Sequence, residues 1–112
     1  MLLNVSRAED AKGWTVLAVE GEIDIATASA LDEAIEQAVS DGKRNIAVDL
    51  EAVSFMDSTG LRTLIVAHRR LEDESGRLVV IPGSGPIRRL LEVAGVVDTL
   101  DVVTGRDSLV DV

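Results

Sequence analysis

The sequence predicts an α/β domain with a mixed sheet of four to five strands, an N-terminal antiparallel pair, and helices mainly on one face. Short apolar runs alternate with amphipathic stretches, which is typical of strands separated by single helices. The first two runs are joined by the short polar turn AEDAKG, which favours an antiparallel pair. Hydrophobic residues make up 46% and aromatic residues 2% of the chain, so the core is aliphatic. A length of 112 residues suits one domain, residues 1–112.

The order of the elements follows from the apolar periodicity. The predicted strands are residues 2–7, 14–20, 45–50, 77–81 and 99–103. The predicted helices are residues 27–40, a stretch from about Ser58 to Gly76, a stretch from about Pro86 to Gly95, and a short frayed helix over 106–112. One helix between successive strands implies right-handed crossovers and parallel pairing. We place Trp14 and Phe55, the only Trp and the only Phe, in the core because large apolar residues are usually buried.

Composition excludes several classes of function. The net charge of −9 disfavours nucleic acid as a direct partner, because a phosphate backbone would be repelled. The lack of cysteine excludes disulfides, thiolate catalysis and cysteine-bound metal. No apolar run approaches the roughly 18 residues of a membrane span. The start MLLNVSRAED lacks the basic and long apolar regions of a signal peptide. We therefore expect a soluble cytoplasmic protein that does not bind membranes.

Two loops are candidates for a functional site. In open sheets, sites lie outside the carboxyl ends of parallel strands. The segment GEID (21–24) follows the strand 14–20, and EAVSFMDS (51–58) follows the strand 45–50. Parallel strands would bring both loops to the same edge of the sheet.

The residues of these loops do not form a recognisable catalytic set. A nucleophilic Ser58 would need a base, and the only histidine, His68, lies ten residues further along the same predicted helix, about 15 Å away. We expect His68 to be packed. No GxxxxGK[ST] motif is present, and turn formation explains GSG at 83–85. A metal site from Asp24 and Asp57 lacks a third ligand. We therefore predict no catalytic residue, metal or cofactor, and no enzyme activity.

The stretch DSTG at 57–60 has two interpretations. Ser58 or Thr59 can simply cap the following helix, with Gly60 in its first turn. Alternatively, Ser58 is phosphorylated, since unpaired N–H groups at a helix start can hold a phosphate. The phosphate would add nearly two negative charges beside Asp57 and expel a close-fitting partner. The motif alone leaves both interpretations open.

Three stretches resemble one known family. GEIDIATA (21–28), VDLEAVSFMDSTGL (48–61) and IRRLLEVAGV (87–96) are similar, in order and spacing, to the STAS domain of bacterial anti-sigma factor antagonists. The resemblance covers nearly the whole chain and implies a STAS-like fold. It also implies that Ser58, directly after the aspartate, is the phosphoacceptor, and that Thr59 occupies the position of the family's second Ser or Thr.

The resemblance implies partners as well. An anti-sigma factor serine kinase binds the unphosphorylated antagonist, and the sigma factor is freed for transcription. The kinase then phosphorylates the serine with ATP, which ends the interaction, and a metal-dependent serine phosphatase resets it. The antagonist is a ligand and a substrate in this scheme, not an enzyme. A homodimer is left open.

The predicted partner-binding surface combines both loops. Its residues are Gly21, Asp24, Asp57, Ser58, Thr59, Gly60 and Arg62. Asp24 corresponds to a family position that contacts the kinase, although a carboxylate accepting early helix N–H groups explains it equally well. We expect Gly21 to permit the turn that directs Asp24, and Gly60 to let a partner's backbone approach. Many relatives have a small residue where this chain has Arg62, so its long cation either changes which kinase fits or neutralises part of a phosphate.

Two other functions compete with this one. A STAS adaptor in a lipid-transport or stress-signalling assembly would use the same fold without modification of Ser58. An aspartyl-phosphate receiver needs a lysine late in the chain, and no lysine follows Lys43. The receiver is therefore disfavoured.

Overall fold

The computed structural model describes residues 3–111, and within that range it forms a mixed five-stranded sheet with three α-helices, as the sequence predicts. In chain order the elements are β1 (Asn4–Glu9), β2 (Thr15–Ile23), α1 (Ala28–Ser40), β3 (Asn45–Met56), α2 (Ser58–Asp73), β4 (Arg77–Ile81), α3 (Pro86–Ala94), β5 (Asp101–Val102) and a short 3₁₀ helix (Arg106–Ser108). Residue 2 of the first predicted strand and residue 112 of the last predicted helix lie outside the described range.

The sheet has the order β1-β2-β3-β4-β5. β1 is antiparallel to β2, and the pairs from β2 to β5 are parallel. A single helix joins each parallel strand to the next. The carboxyl ends of β2 and β3 therefore lie at one edge of the sheet, and the prediction that their two loops share this edge is confirmed.

The two faces of the sheet are covered differently. On β3, the side chains of Ile46, Val48 and Leu50 join the main core with buried residues of all three helices. Ala47 points to the opposite face, where it joins a smaller cluster that includes Trp14 and Leu109. The expected burial of Trp14 is confirmed, and the helices lie mainly on one face, as predicted.

The strands β2 and β3 are longer than the sequence predicts. β2 continues to Ile23 and β3 to Met56, so the prediction of a loop over residues 51–56 is wrong. Pairing between the two strands persists through two register shifts. The alternation in this part of β3 is hard to recognise because four of its six residues are exposed. The loops that follow the two strands are therefore shorter than expected.

The end of the chain closes the second face of the sheet. Only Arg106–Ser108 of the predicted helix over 106–112 is helical, as a single 3₁₀ turn within the described residues. The Trp14 Nε1–H donates a hydrogen bond to the Val110 carbonyl at 2.6 Å, and the Lys12 ammonium donates to the Leu109 carbonyl at 2.7 Å. These bonds fix an extended segment over the smaller apolar cluster.

Among the residues that the structure describes, no helix combines the length and the apolar character needed to cross a bilayer.

Candidate functional site

The site is built on a direct backbone link between the ends of β2 and β3. Ile23 and Met56 are paired in parallel register, and the Asp57 N–H donates to the Ile23 carbonyl at 3.0 Å. Asp24 and Asp57 each follow the last residue of their strand. The structure therefore brings the two predicted acidic loops together as one continuous rim, which we define as residues 21–25 and 55–62.

Asp57 forms the start of α2. Its backbone is extended, with φ −100° and ψ −172°, and its Oδ1 accepts a hydrogen bond from the Thr59 N–H at 2.9 Å. Asp57 is therefore the N-cap, and the expectation that Ser58 or Thr59 caps the helix is wrong. A carboxylate in this position also interacts favourably with the positive end of the helix dipole.

Ser58 is the first residue of α2 and is exposed. Because Asp57 supplies the cap, the fold does not require the serine hydroxyl for this purpose. Thr59 is only half-buried, and its carbonyl accepts a hydrogen bond from the Thr63 hydroxyl at 3.1 Å. Of the two adjacent hydroxyl residues, Ser58 is the more accessible to another protein.

Gly60 has a different role from the one expected. It is buried, and a Cβ built on it would lie 2.6 Å from Ile23 Cγ2 and 2.6 Å from Met56 Cγ. The close approach that needs a glycine is therefore that of α2 to the ends of β2 and β3. The expectation that Gly60 admits the backbone of a partner is corrected, because its position faces the interior.

Asp24 organises its own loop. Its Oδ1 accepts hydrogen bonds from the N–H groups of Ala26 at 2.9 Å and Thr27 at 3.1 Å. The Thr27 hydroxyl donates to the Glu22 carbonyl at 2.7 Å. The structure thus shows the local role that the sequence left open for Asp24, whereas its contact with a kinase stays a prediction. The other carboxylate oxygen, Oδ2, is not used by these bonds.

Gly21 lies inside β2 and not in a turn. Its φ of +122° is strained for residues with a side chain, and it coincides with the register shift between Gly21 and Glu22. A bulge of this kind bends the strand and redirects the residues that follow it. Position 21 therefore needs a glycine, as expected, but it needs one for a strand bulge and not for a turn.

Two exposed apolar side chains flank the acidic residues, and the sequence analysis missed both. Ile25 is 83% exposed and Phe55 is 49% exposed, so the prediction that Phe55 belongs to the core is wrong. Met56 takes the buried position next to it. Phe55 lines a shallow apolar cleft with Pro86, Ile87 and Leu90. The available signal was the position of each residue within two positions of an acidic loop residue, Asp24 or Asp57.

The remaining candidates occupy distinct positions. Arg62 is exposed on α2, one turn after Ser58. His68 is buried, with Nδ1 3.3 Å from the Leu78 carbonyl oxygen, so its predicted packing is confirmed. Within residues 3–111, no group of three or more His, Asp or Glu side chains is arranged to hold a metal ion.

The sheet order and the loop rim define the class to which the protein belongs, that of small α/β domains with a mixed five-stranded sheet. Residues 5–110 match the STAS domain, and the chain belongs to that family.

The curated relatives and the solved structure described next are all anti-sigma factor antagonists. It is 36% identical over 107 residues to the anti-sigma-B factor antagonist of Staphylococcus aureus (strain NCTC 8325 / PS 47), covering 96% of this chain and 98% of the relative. It is 36% identical over 86 residues to the anti-sigma-F factor antagonist RsfB of Mycobacterium tuberculosis (strain CDC 1551 / Oshkosh), covering 77% and 70%. The crystal structure of an anti-sigma factor antagonist from Mycobacterium paratuberculosis superposes with a TM-score of 0.83 at 30% identity, covering 94% and 88%.

Proposed function

We propose that this protein is an anti-sigma factor antagonist regulated by phosphorylation of Ser58. The unphosphorylated form binds an anti-sigma factor serine kinase and frees the sigma factor, and phosphorylation by that kinase ends the interaction. The observation that carries the proposal is the position of Ser58, exposed at the first turn of α2 on the rim where residues 21–24 emerge. The similarity to two anti-sigma factor antagonists supports the antagonist role.

The rim offers the features of a protein interface. Ile25 and Phe55 supply exposed apolar surface, which a partner can desolvate at the centre of a contact. Asp24 and Asp57 add negative charge in a chain of net charge −9, which complements a basic face on the kinase and speeds association. Ser58 lies within this surface, so a partner bound here covers its hydroxyl.

The release step is electrostatic. A phosphate on Ser58 adds about −1.5 to −2 charges at pH 7, next to the carboxylate of Asp57. An interface that fits a neutral hydroxyl places no cation of the partner at this point, so it would bury the new anion without a matching charge from the partner, which is unfavourable. A metal-dependent serine phosphatase removes the phosphate and restores binding. The protein performs no catalytic step in this cycle.

The modification itself is tested by mass spectrometry of the intact protein. Incubation with its anti-sigma kinase and ATP should add one phosphate to the wild type and to Thr59→Ala, but none to Ser58→Ala. Thr59→Ala is the matched control because it removes the neighbouring hydroxyl. An unmodified wild-type mass would contradict the proposal and favour the adaptor function.

The consequence of the charge is tested by affinity. Ser58→Ala should bind the kinase as the wild type does and should not be released by ATP. Ser58→Asp should weaken binding by about 2–5 kcal/mol, the cost of an unpaired buried charge at an interface. Calorimetric titration measures both. Equal affinities of Ser58→Asp and wild type would refute the charge mechanism.

A further inference from the structure

Arg62 is placed to reach any group attached to Ser58. The two residues are four positions apart in α2 and are both exposed, so they lie on the same face of the helix, one turn apart. Helix side chains tilt toward the N-terminus. In the usual helical rotamers the long Arg62 side chain can therefore extend back toward the position of the serine hydroxyl.

Arg62 also differs from most of the arginines in its ionic contacts. Six arginines have a carboxylate within 4.0 Å, namely Arg7, Arg44, Arg70, Arg77, Arg88 and Arg106. Over residues 3–111, Arg62 forms no such pair. Two carboxylates of the rim accept local backbone N–H bonds instead, because Asp57 caps α2 and Asp24 holds its own turn. The Arg62 guanidinium is therefore available for a new anion.

We propose that the Arg62 side chain binds the phosphate of phosphorylated Ser58 within the same helix. This inference rests on the proposed function, since it concerns the phosphorylated form. The guanidinium presents parallel N–H donors that match two phosphate oxygens. An anion placed N-terminal to a cation at a spacing of four residues is also the favourable order on a helix.

The pairing gives phosphorylation a second effect on the partner. In the unphosphorylated protein, Arg62 is exposed at the end of the rim and is available to a bound kinase. In the phosphorylated protein the Arg62 guanidinium pairs with the phosphate. The surface offered to the partner then loses an available cation and gains an anion in the same step. Arg62 offsets only part of the phosphate charge. Glu22, Asp24 and Asp57 remain as the carboxylates of the rim.

The test uses protein with phosphoserine incorporated at position 58 during translation, so that no kinase is required. A phosphorus NMR titration measures the second pKa of the phosphate. A nearby cation favours the dianion and lowers this pKa, whereas the rim carboxylates raise it. Arg62→Ala should therefore raise the pKa of the phosphate by about half a pH unit, the size expected for an exposed pair. Added salt should reduce this difference.

Arg69→Ala is the matched control, because Arg69 is exposed on the same helix but lies about 16 Å along the axis from Ser58. This variant should leave the pKa of the phosphate unchanged. Equal pKa values for Arg62→Ala and the wild type would overturn the pairing. That result would not affect the proposed function, because phosphorylation of Ser58 does not require the pairing. Conversely, if the kinase fails to modify Ser58, this titration can still be interpreted, because it uses no kinase.

Discussion

At the scale of single residues, the DSTG stretch divides its tasks between neighbours. Asp57 caps α2, Gly60 lets the helix pack on the strand ends, and Ser58 is exposed between them. The residue that carries the proposed signal is thus distinct from the two that hold the structure. Changes at Ser58 are therefore separable from changes in folding.

The capping role predicts different stabilities for two adjacent alanine variants. Asp57→Ala should lower the free energy of unfolding by about 1 kcal/mol, because it removes the bond to the Thr59 N–H. Ser58→Ala should change it by less than about 0.5 kcal/mol, as for other surface positions. Urea denaturation measures both. Asp57→Asn is the control, since Asn caps about as well as Asp. Equal losses for the two alanine variants would argue against the cap assignment.

The packing of Gly60 predicts a cost for one added methyl group. Gly60→Ala should destabilise the fold by about 1–3 kcal/mol, as for overpacked cores, because its Cβ would overlap Ile23 and Met56. Gly105→Ala is the matched control: its φ is −170° and its Cβ would meet nothing within 4 Å. Thermal or urea unfolding of the pair checks the difference. If Gly60→Ala loses no more stability than Gly105→Ala, the start of α2 can move away from Ile23 and Met56 to admit the methyl group.

At the scale of elements, periodicity predicted the helices well and the strand ends poorly. The apolar residues on one face of a helix such as α1 recur over several turns, so their spacing is easy to recognise in the sequence. The outer half of β3 is supported mainly by pairing with β2 across two register shifts, which no local pattern records. Phe55 was placed in the core because large apolar residues are usually buried. Its exposure depends on which face β3 turns outward after the shifts.

The site was predicted in a similarly uneven way. Ser58, Asp24 and Asp57 were found from the resemblance and from the rule on strand ends, and the structure brings their loops together. The role of Gly60 could not be predicted, because it depends on contact with Ile23, which is remote in sequence. The cap was misassigned because Asp, Ser and Thr are all favourable N-caps and stand next to one another at 57–59. Ile25 was missed because an isolated apolar loop residue carries no periodic signal.

The contact between β1 and the end of α1 predicts an acid-sensitive contribution to stability. The Arg7 guanidinium, 2.7 Å from the Asp41 carboxylate, lowers the pKa of Asp41. A hydrogen bond from the Thr15 hydroxyl lowers the pKa of Glu9, and Lys43 adds to this effect. Groups with lowered pKa values stabilise the fold fully above their ordinary values, here 3.8 and 4.5, and lose this contribution as the pH falls through the lowered values.

The corresponding measurement compares unfolding of the wild type with that of Asp41→Asn and Glu9→Gln over a series of pH values. The wild type should be the more stable near neutral pH. Its advantage should begin to fall below pH 4.5 over Glu9→Gln and below pH 3.8 over Asp41→Asn, and should disappear once the pH is below the lowered pKa values. High salt should reduce the advantage at every pH because both groups are exposed. An advantage that grows on acidification would contradict this assignment.

At the scale of the whole molecule, one face of the sheet is closed by helices and the other by the last residues of the chain. Asp49 lies on the second face and is buried, with the Arg106 Nε–H donating to its Oδ2 at 2.8 Å. The indole of Trp14 lies under the same segment. Sequence analysis could not predict this closure, since residues 106–110 have no strong periodicity and act through long-range contacts.

This arrangement predicts a loss of stability when the cation is removed. Arg106→Gln should lower the free energy of unfolding by about 1–3 kcal/mol, because the Asp49 carboxylate stays buried without its charged donor. Emission of Trp14 should shift to longer wavelength as the chain end loosens. Urea unfolding followed by fluorescence measures both effects. Combining Arg106→Gln with Asp49→Asn should recover part of the stability, and no recovery would argue against the ion pair as the cause.

The bond from the Asp57 N–H to the Ile23 carbonyl joins two peptide groups, and therefore exchange of either side chain leaves it in place. Descendants of one duplicated gene thus inherit the same spacing between their two loops, whatever residues they later acquire at positions 25, 55 and 62. Side chains at these three positions can therefore diverge while the distance between the two loops stays the same.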